Sequence, residues 1–123
     1  MRVRCIKIIH PQADIPVQEY DGIRVGGIYT VLEIEVLAGS EVQIRVLGEH
    51  AQGPGLMWDV ADFDVLDTRV PPCWALALEE GGLSLAHALW QRPGFWRDYH
   101  RRDPQALADF EAVKRELLDD DAP

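Results

Sequence analysis

The side chains best suited to chemistry in this sequence are its histidines, cysteines and serines. They are His10, His50, His87, His100, Cys5, Cys73, Ser40 and Ser84. None of the histidines lies in an HExxH motif, the cysteines do not form a CxxC pair, and no two histidines are spaced to share a metal ion from one helix face. Neither serine lies in a nucleophile elbow. The sequence therefore predicts no catalytic residue, no metal site and no cofactor.

The two cysteines favour a reducing compartment. Cys5 and Cys73 both have apolar neighbours, so we expect two buried thiols without a disulfide. His10 follows Cys5 by five residues on a predicted strand, which places the two side chains on opposite faces. The sequence leaves open a Cys–His pair built from distant residues. Three basic residues among the first seven interrupt any apolar leader, and we expect a cytoplasmic protein.

A run of aspartates interleaved with apolar residues is the first candidate binding surface. Its carboxylates belong to Asp59, Asp62, Asp64 and Asp67. Alternation with Trp58, Phe63 and Leu66 directs the apolar side chains into a core and the carboxylates to one sheet edge. A negative edge would speed the capture of a basic partner protein, toward ~10⁸ M⁻¹ s⁻¹ at low salt. Aspartates are also common turn residues, which is the alternative interpretation.

The loop 48–55 and the segment 90–102 are two further candidates. The loop is small and glycine-rich, and His50 within it suits either a mobile binding loop or a plain connector. The segment 90–102 combines aromatic and basic residues, and its candidate binding residues are Trp96, Arg97, His100 and Arg101. Rings stacked beside guanidinium groups can hold a nucleic acid strand. The helical spacing of Phe95, Trp96 and Tyr99 equally fits a packing seam, with an Asp98–Arg102 pair beside it.

Composition limits the class of protein and of partner. The chain has 123 residues, of which 47% are hydrophobic, which fits one globular domain and argues against disorder. Its net charge of −9 argues against binding nucleic acid through the overall field. Apolar runs are much shorter than the ~20 residues of a membrane span. We expect a protein partner, with a basic protein as the candidate, and the sequence leaves the oligomeric state open.

The first half of the chain reads as β structure. Alternating patterns predict strands over 3–9, 28–36, 42–47, 56–60 and 65–66, with a long loop over 11–27. Val42, Ile44 and Val46 are expected to face inward, and Gln43 and Arg45 outward. Short strands of this number suit a small barrel of strongly bent strands.

The second half reads as a hairpin followed by helices. Residues 74–86 fit a hairpin, although their alanines and leucines also favour helix. A short helix is predicted over 95–102. The clearest helix begins after Asp103 as its cap, with Pro104 in the first turn, and runs to about Leu118. The aspartates at 119–121 lie at its negative end, so we expect this tail to fray.

The first 67 residues resemble the small SH3-like barrel of many short bacterial cytoplasmic proteins. The resemblance rests on the segments VRCI at 3–6, GIYTVL at 27–32, IRVL at 44–47 and DFDVLD at 62–67. The motifs at 72–74 and 93–96, Trp90 and the final helix resemble an extension seen on some of these proteins. The loop 48–55 departs from the family, which usually has a tight turn there.

These features lead to one fold and a ranked pair of functions. We expect an α+β protein with an SH3-like barrel at 1–67 and a hairpin and helical extension at 68–123, packed as one folding unit. Several proteins of this kind are similar to immunity proteins, so the resemblance implies a non-catalytic inhibitor that sequesters a bacterial toxin domain. The alternative is a small regulatory or nucleic-acid-associated module that uses the segment 90–102.

Overall fold

A computed structural model describes residues 1–39, 41–49, 55–79 and 81–121 and has an α+β architecture. The strands are β1 (Arg2–Cys5), β2 (Ile8–Ile9), β3 (Pro16–Val17), β4 (Glu19–Tyr20), β5 (Ile23–Arg24), β6 (Ile28–Leu37), β7 (Val42–Val46), β8 (Met57–Asp59), β9 (Phe63–Val65), β10 (Trp74–Glu79) and β11 (Gly82–His87). The helices are α1 (Phe95–His100) and α2 (Pro104–Asp121), with 3-10 turns at Val60–Asp62 and Ala88–Trp90.

The long strand β6 organises the main antiparallel sheet. β1 pairs with its first residues and β11 with its last, while β7 pairs along the opposite edge. β9 adds outside β1, β10 outside β11 and β8 outside β7. A 3-10 turn, and not a strand pairing, links β8 to β9. Over the described residues the strands therefore bend around a core without closing into a barrel.

A bulge in β6 changes the predicted alternation of inward and outward residues. The register against β7 shifts between Val31 and Glu33, and these two residues and Leu32 between them are all buried. Strict alternation would have left one face of this strand in solvent. The bulge instead inserts one extra residue, which places Glu33 opposite Arg45. The segment that contains Trp96 covers this side of the sheet, and this accounts for the burial of Glu33.

The segment before β6 differs from its prediction. The strand expected over 3–9 is interrupted after Cys5. The amides of Ile6 and Lys7 both donate to the carbonyl of Asp62 (2.9 and 3.3 Å), so the one-to-one register with β9 is lost there. The loop expected over 11–27 contains two small ladders, β2 with β3 and β4 with β5. Two-residue pairings leave no alternation that a sequence pattern could detect.

The second half contains the predicted hairpin and helix. β10 and β11 pair over their full length, which resolves 74–86 as a hairpin. Gly82 lies opposite Leu37 on β6, and a Cβ there would collide with the carbonyl of Val36. Asp103 caps α2 as expected, since its carboxylate accepts from the amide of Ala106 (2.9 Å).

The end of α2 corrects the prediction that 119–121 would fray. The helix continues to Asp121. Asp121 contacts the amino group of Met1 at 2.6 Å, and Asp120 pairs with Arg69 at 2.8 Å. These cations come from distant parts of the chain, and they offset the unfavourable placement of carboxylates at the negative helix end.

Both halves of the chain contribute to one hydrophobic core. The sheet supplies Val3, Val31, Ile44 and others, and the helices supply Phe95, Phe110 and Leu117. The ring of Phe110 stacks on Trp90 with centroids 5.4 Å apart and meets Tyr99 at 4.8 Å. The aromatic residues of 90–102 therefore form the packing seam that was one of their two predicted roles. None of the described helices has the length and apolar character needed to cross a bilayer.

Candidate functional site

The four predicted aspartates follow one another along β8, the 3-10 turn and β9. Asp59 caps the turn, and its carboxylate accepts from the amide of Ala61 (2.9 Å). A hydrogen bond with Glu41, followed by this amide bond, lowers the pKa of Asp59, and the same bond to Asp59 raises the pKa of Glu41. Asp59 therefore has a structural role in ending β8.

Basic residues accompany the other three aspartates. Asp62 lies 3.6 Å from the ammonium group of Lys7, and Asp64 faces Arg4 in the ladder between β9 and β1. Asp67 accepts from the amide of Arg69 (2.7 Å), and this bond lowers its pKa. β8 and β9 are outer strands at different edges of the sheet and, among the described residues, do not pair with each other, so the four carboxylates follow the connection between these two edges. Their charges are partly balanced by neighbours. The fifth predicted residue, His50, lies outside the described residues.

The basic aromatic segment is folded inward. The guanidinium of Arg45 lies 4.6 Å from the ring centre of Trp96, so one ring face is already covered. Arg97 donates to Asp98 at 3.3 Å, while His100 and Arg101 are exposed at the end of α1. The arrangement leaves cations at the surface without an open stack of rings for bases.

The predicted Asp98–Arg102 pair does not form. Asp98 is bound by Arg92 at 3.0 Å and by Arg97, and these bonds, with that of Arg92 the larger, lower its pKa. Arg102 has a φ of 62° and lies beyond the end of α1. The i, i+4 geometry requires helical backbone at both residues, and the helix ends too early to provide it.

An exposed apolar edge is a candidate surface that the sequence interpretation missed. β10 is the last strand of the sheet and, among the described residues, pairs only with β11. Leu76 and Leu78 lie on the same face of it and are 56% and 77% exposed. Alternation alone would have assigned them to a buried face. Only the position of β10 at the end of the sheet leaves them in solvent.

The exposed leucines continue across neighbouring strands. On β11, Leu85 and Leu83 lie directly opposite Leu76 and Leu78. On β6, Ile34 and Val36 lie opposite Leu85 and Leu83. On β7, Ile44 and Val42 continue the two rows. We call the exposed or half-buried members of these two rows the leucine face: Leu76, Leu78, Leu83, Leu85, Ile34, Val36 and Val42. Contiguous exposed apolar surface of this kind is typical of interaction sites.

A second feature that the sequence interpretation missed brings a cysteine, a histidine and a carboxylate together. The ligand atoms of Cys73, His87 and Glu116 all lie within 4.8 Å of one another. His87 Nε2 is 3.1 Å from a carboxylate oxygen of Glu116, and burial, followed by the nearby Glu116, raises the pKa of the Cys73 thiol. Cys73 immediately precedes β10, His87 ends β11 and Glu116 lies in the second half of α2, so no spacing rule relates them.

This group is not arranged as a thiol nucleophile with its base. The amide of Leu89 donates to His87 Nδ1 (3.1 Å), so in the neutral ring the proton is on Nε2 and donates to Glu116. The imidazole then has no free lone pair to accept the thiol proton, and the raised pKa keeps Cys73 protonated. Cys73 is half-buried, not fully buried as predicted, whereas Cys5 is buried.

His10, which follows Cys5 by five residues in the sequence, has a local structural role. His10 Nδ1 accepts from the amides of Gln12 and Ala13, at 3.1 and 3.0 Å, and its ring packs on Tyr20. The imidazole therefore closes a turn.

Comparisons of the chain with protein-family models, curated proteins and solved structures find no match.

Proposed function

We propose that this protein is a non-catalytic protein-binding module that takes up an extended, basic segment of its partner as an added strand beside β10. The observation that carries the proposal is the leucine face at a sheet edge. Edge strands offer unpaired backbone groups on one side, and natural proteins usually protect them with charges, proline or a covering element. β10 instead presents the exposed apolar side chains of Leu76 and Leu78.

Strand addition explains how the leucine face would give both affinity and selectivity. Main-chain hydrogen bonds to β10 would hold the incoming segment, and alternate side chains of that segment would cover Leu76 and Leu78. The net charge of −9 favours a segment that carries lysine or arginine at the positions facing away from the leucines.

We propose that β9-β1-β6-β7-β8 is an SH3-like arrangement, supported by the strand order and by the 3-10 turn between β8 and β9. With the resemblance described above, this supports an immunity-type inhibitor that acts in the cytoplasm and occludes a bacterial toxin domain.

For such an inhibitor, substitutions among the aspartates and substitutions in the leucine face should change different rate constants of partner binding. The aspartates are Asp59, Asp62, Asp64 and Asp67. The two surfaces lie at opposite ends of the sheet order, on β9 and β10. If the aspartates steer a basic partner, Asp62→Lys with Asp64→Lys slows association, and raising the salt concentration does the same. If β10 holds the partner, Leu76→Lys with Leu78→Lys increases dissociation instead. The partial charge balance around the aspartates favours the second surface.

The test is a selection of displayed random peptides on the immobilised full chain. We expect enriched sequences with alternating apolar residues and positive net charge, and at least about tenfold weaker binding of the synthetic peptides to the Leu76→Lys, Leu78→Lys variant. The Asp62→Lys, Asp64→Lys variant is the matched control at the other edge. No enrichment, or equal binding to both variants and the wild type, would contradict the proposal.

A separate assay addresses the nucleic-acid alternative. Fluorescent single-stranded RNA and DNA are titrated with the wild type and with an Arg97→Ala, Arg101→Ala variant. The proposed function predicts no binding in the micromolar range. Salt-dependent binding that the variant loses would support the alternative and contradict the protein-binding proposal.

A further inference from the structure

We propose that Cys73, His87 and Glu116 bind a zinc ion, with a fourth position left to water. This inference is independent of the proposed function. The three residues supply a sulfur, a nitrogen and an oxygen ligand, which is the donor set that zinc accepts in proteins. Calcium and magnesium require oxygen ligands instead, so neither fits a group that contains a cysteine and a histidine.

The spacing of the ligand atoms is close to what a tetrahedral ion requires. Ligands at about 2.0 to 2.3 Å from zinc lie roughly 3.3 to 3.5 Å from one another. His87 Nε2 and the Glu116 oxygen, 3.1 Å apart, already have nearly this separation. All pairs in the group lie within 4.8 Å, so side-chain movements of about 1 Å complete the site.

The surroundings favour a cation and provide access to it. A surface pocket of about 330 Å³ is lined by Pro72, Cys73, Glu116, Asp119 and Asp120, so three carboxylates border it. Glu116 is 53% exposed, so an ion can reach it from solvent. Asp120 is held by Arg69 at 2.8 Å and is therefore engaged elsewhere. With Asp120 engaged, we assign the fourth position to water.

Zinc binding has to replace hydrogen bonds that exist without the metal. The ion takes the place of the Cys73 thiol proton, which is released to solvent, and it forms a bond to the thiolate. The ring proton of His87 leaves Nε2, where zinc binds, and Nδ1 becomes protonated instead. The Leu89 amide then loses its acceptor on Nδ1. One metal ion bound therefore releases one proton and frees one amide.

The site would fasten the hairpin to the last helix. Cys73 immediately precedes Trp74, and Trp74 pairs with His87 at the open end of the β10–β11 hairpin. Glu116 belongs to α2. A metal bridge between elements that are distant in sequence stabilises the folded chain, because the unfolded chain cannot hold the three ligands together.

The experiment is a zinc titration of the reduced full chain in competition with a chromophoric chelator. We expect one equivalent of Zn²⁺ bound and at least about 100-fold weaker binding for Cys73→Ser, His87→Gln and Glu116→Gln. His100→Gln and Glu111→Gln, which alter an exposed histidine and a carboxylate on α2 outside the cluster, are the matched controls. We expect both to keep wild-type affinity.

Cobalt provides a readout that does not depend on the variants. Co²⁺ added to the wild type should give the sulfur-to-cobalt charge-transfer absorption and the intense visible bands of a four-coordinate ion, and Zn²⁺ should displace both. Circular dichroism verifies that each variant is folded. Absence of the charge-transfer band, or unchanged zinc affinity in folded Cys73→Ser, would overturn the proposal.

Discussion

Glu33 on β6 and Arg45 on β7 form an ion pair that is almost removed from solvent. Arg45 Nε donates to Glu33 Oε1 at 2.6 Å, and the two side chains are 14% and 8% exposed. A second guanidinium nitrogen of Arg45 donates to the carbonyl of Gly55 at 2.8 Å, and the ring of Trp96 covers the guanidinium. The pair thereby joins the sheet to α1.

Removing the cation of this pair is expected to destabilise the protein strongly. Arg45→Met leaves the carboxylate of Glu33 buried without its partner, which costs about 3 to 5 kcal/mol in the free energy of unfolding. Glu33→Gln keeps a neutral acceptor for Arg45 and should cost less, about 1 to 3 kcal/mol. Urea unfolding of both variants measures the difference. A loss below about 0.5 kcal/mol for Arg45→Met would mean that water replaces the missing partner.

Asp98 should make stability depend on pH in the acid range. Hydrogen bonds from Arg92, and less from Arg97, lower its pKa in the folded chain below the ordinary value of 3.8. A lowered folded pKa contributes stability that is fully present above the unfolded value and is lost as the pH falls through the folded value. We therefore expect Asp98→Asn to lower the Tm at pH 7, and we expect this difference to close as the pH falls below the lowered pKa of Asp98. Asp64→Asn on β9 is the control, and a pH-independent gap would contradict the prediction.

Phe110 is expected to be the most sensitive position of the aromatic seam. It is fully buried and stacks on Trp90. Phe110→Ala removes this contact and leaves a cavity, which costs about 3 to 5 kcal/mol. Urea unfolding gives the cost, and a red shift in tryptophan emission should accompany it because Trp90 gains solvent. Phe110→Leu should recover more than half of the loss, and equal losses for both variants would argue against cavity formation.

The leucine face should tolerate charge at its rim but not at its centre. Leu78 is the most exposed of its apolar residues, so Leu78→Lys should change the free energy of unfolding by no more than about 0.5 kcal/mol. Leu85 packs against the core, and Leu85→Lys should cost about 1 to 3 kcal/mol. Chemical denaturation of the two variants tests this contrast. A large loss for Leu78→Lys would show that β10 depends on that side chain for folding.

Local patterns were sufficient for the longer elements, but not for the two-residue ladders β2–β3 and β4–β5 or for the surroundings of individual side chains. Alternation over 28–36 and 42–47 predicted the β6–β7 hairpin, and the cap at Asp103 predicted the start of α2, because these patterns involve residues within one turn or one strand pair. The same alternation assigned Arg45 to an outward, polar face. It could not include Glu33 as a buried partner, because the bulge that places Glu33 opposite Arg45 arises from pairing with β7.

The amino-acid sequence by itself determined the β6–β7 hairpin, the start of α2 and the negative charge, since each depends on neighbouring residues or on composition. Only the tertiary structure decided that Leu76 and Leu78 lie at a free edge and that Cys73 meets His87 and Glu116. It also tied the last turn of α2 to Met1 and Arg69. The physical reason is that these relationships join residues far apart in the chain. Their contact follows from which strand pairs with which and from where α2 packs, and no local spacing encodes that choice.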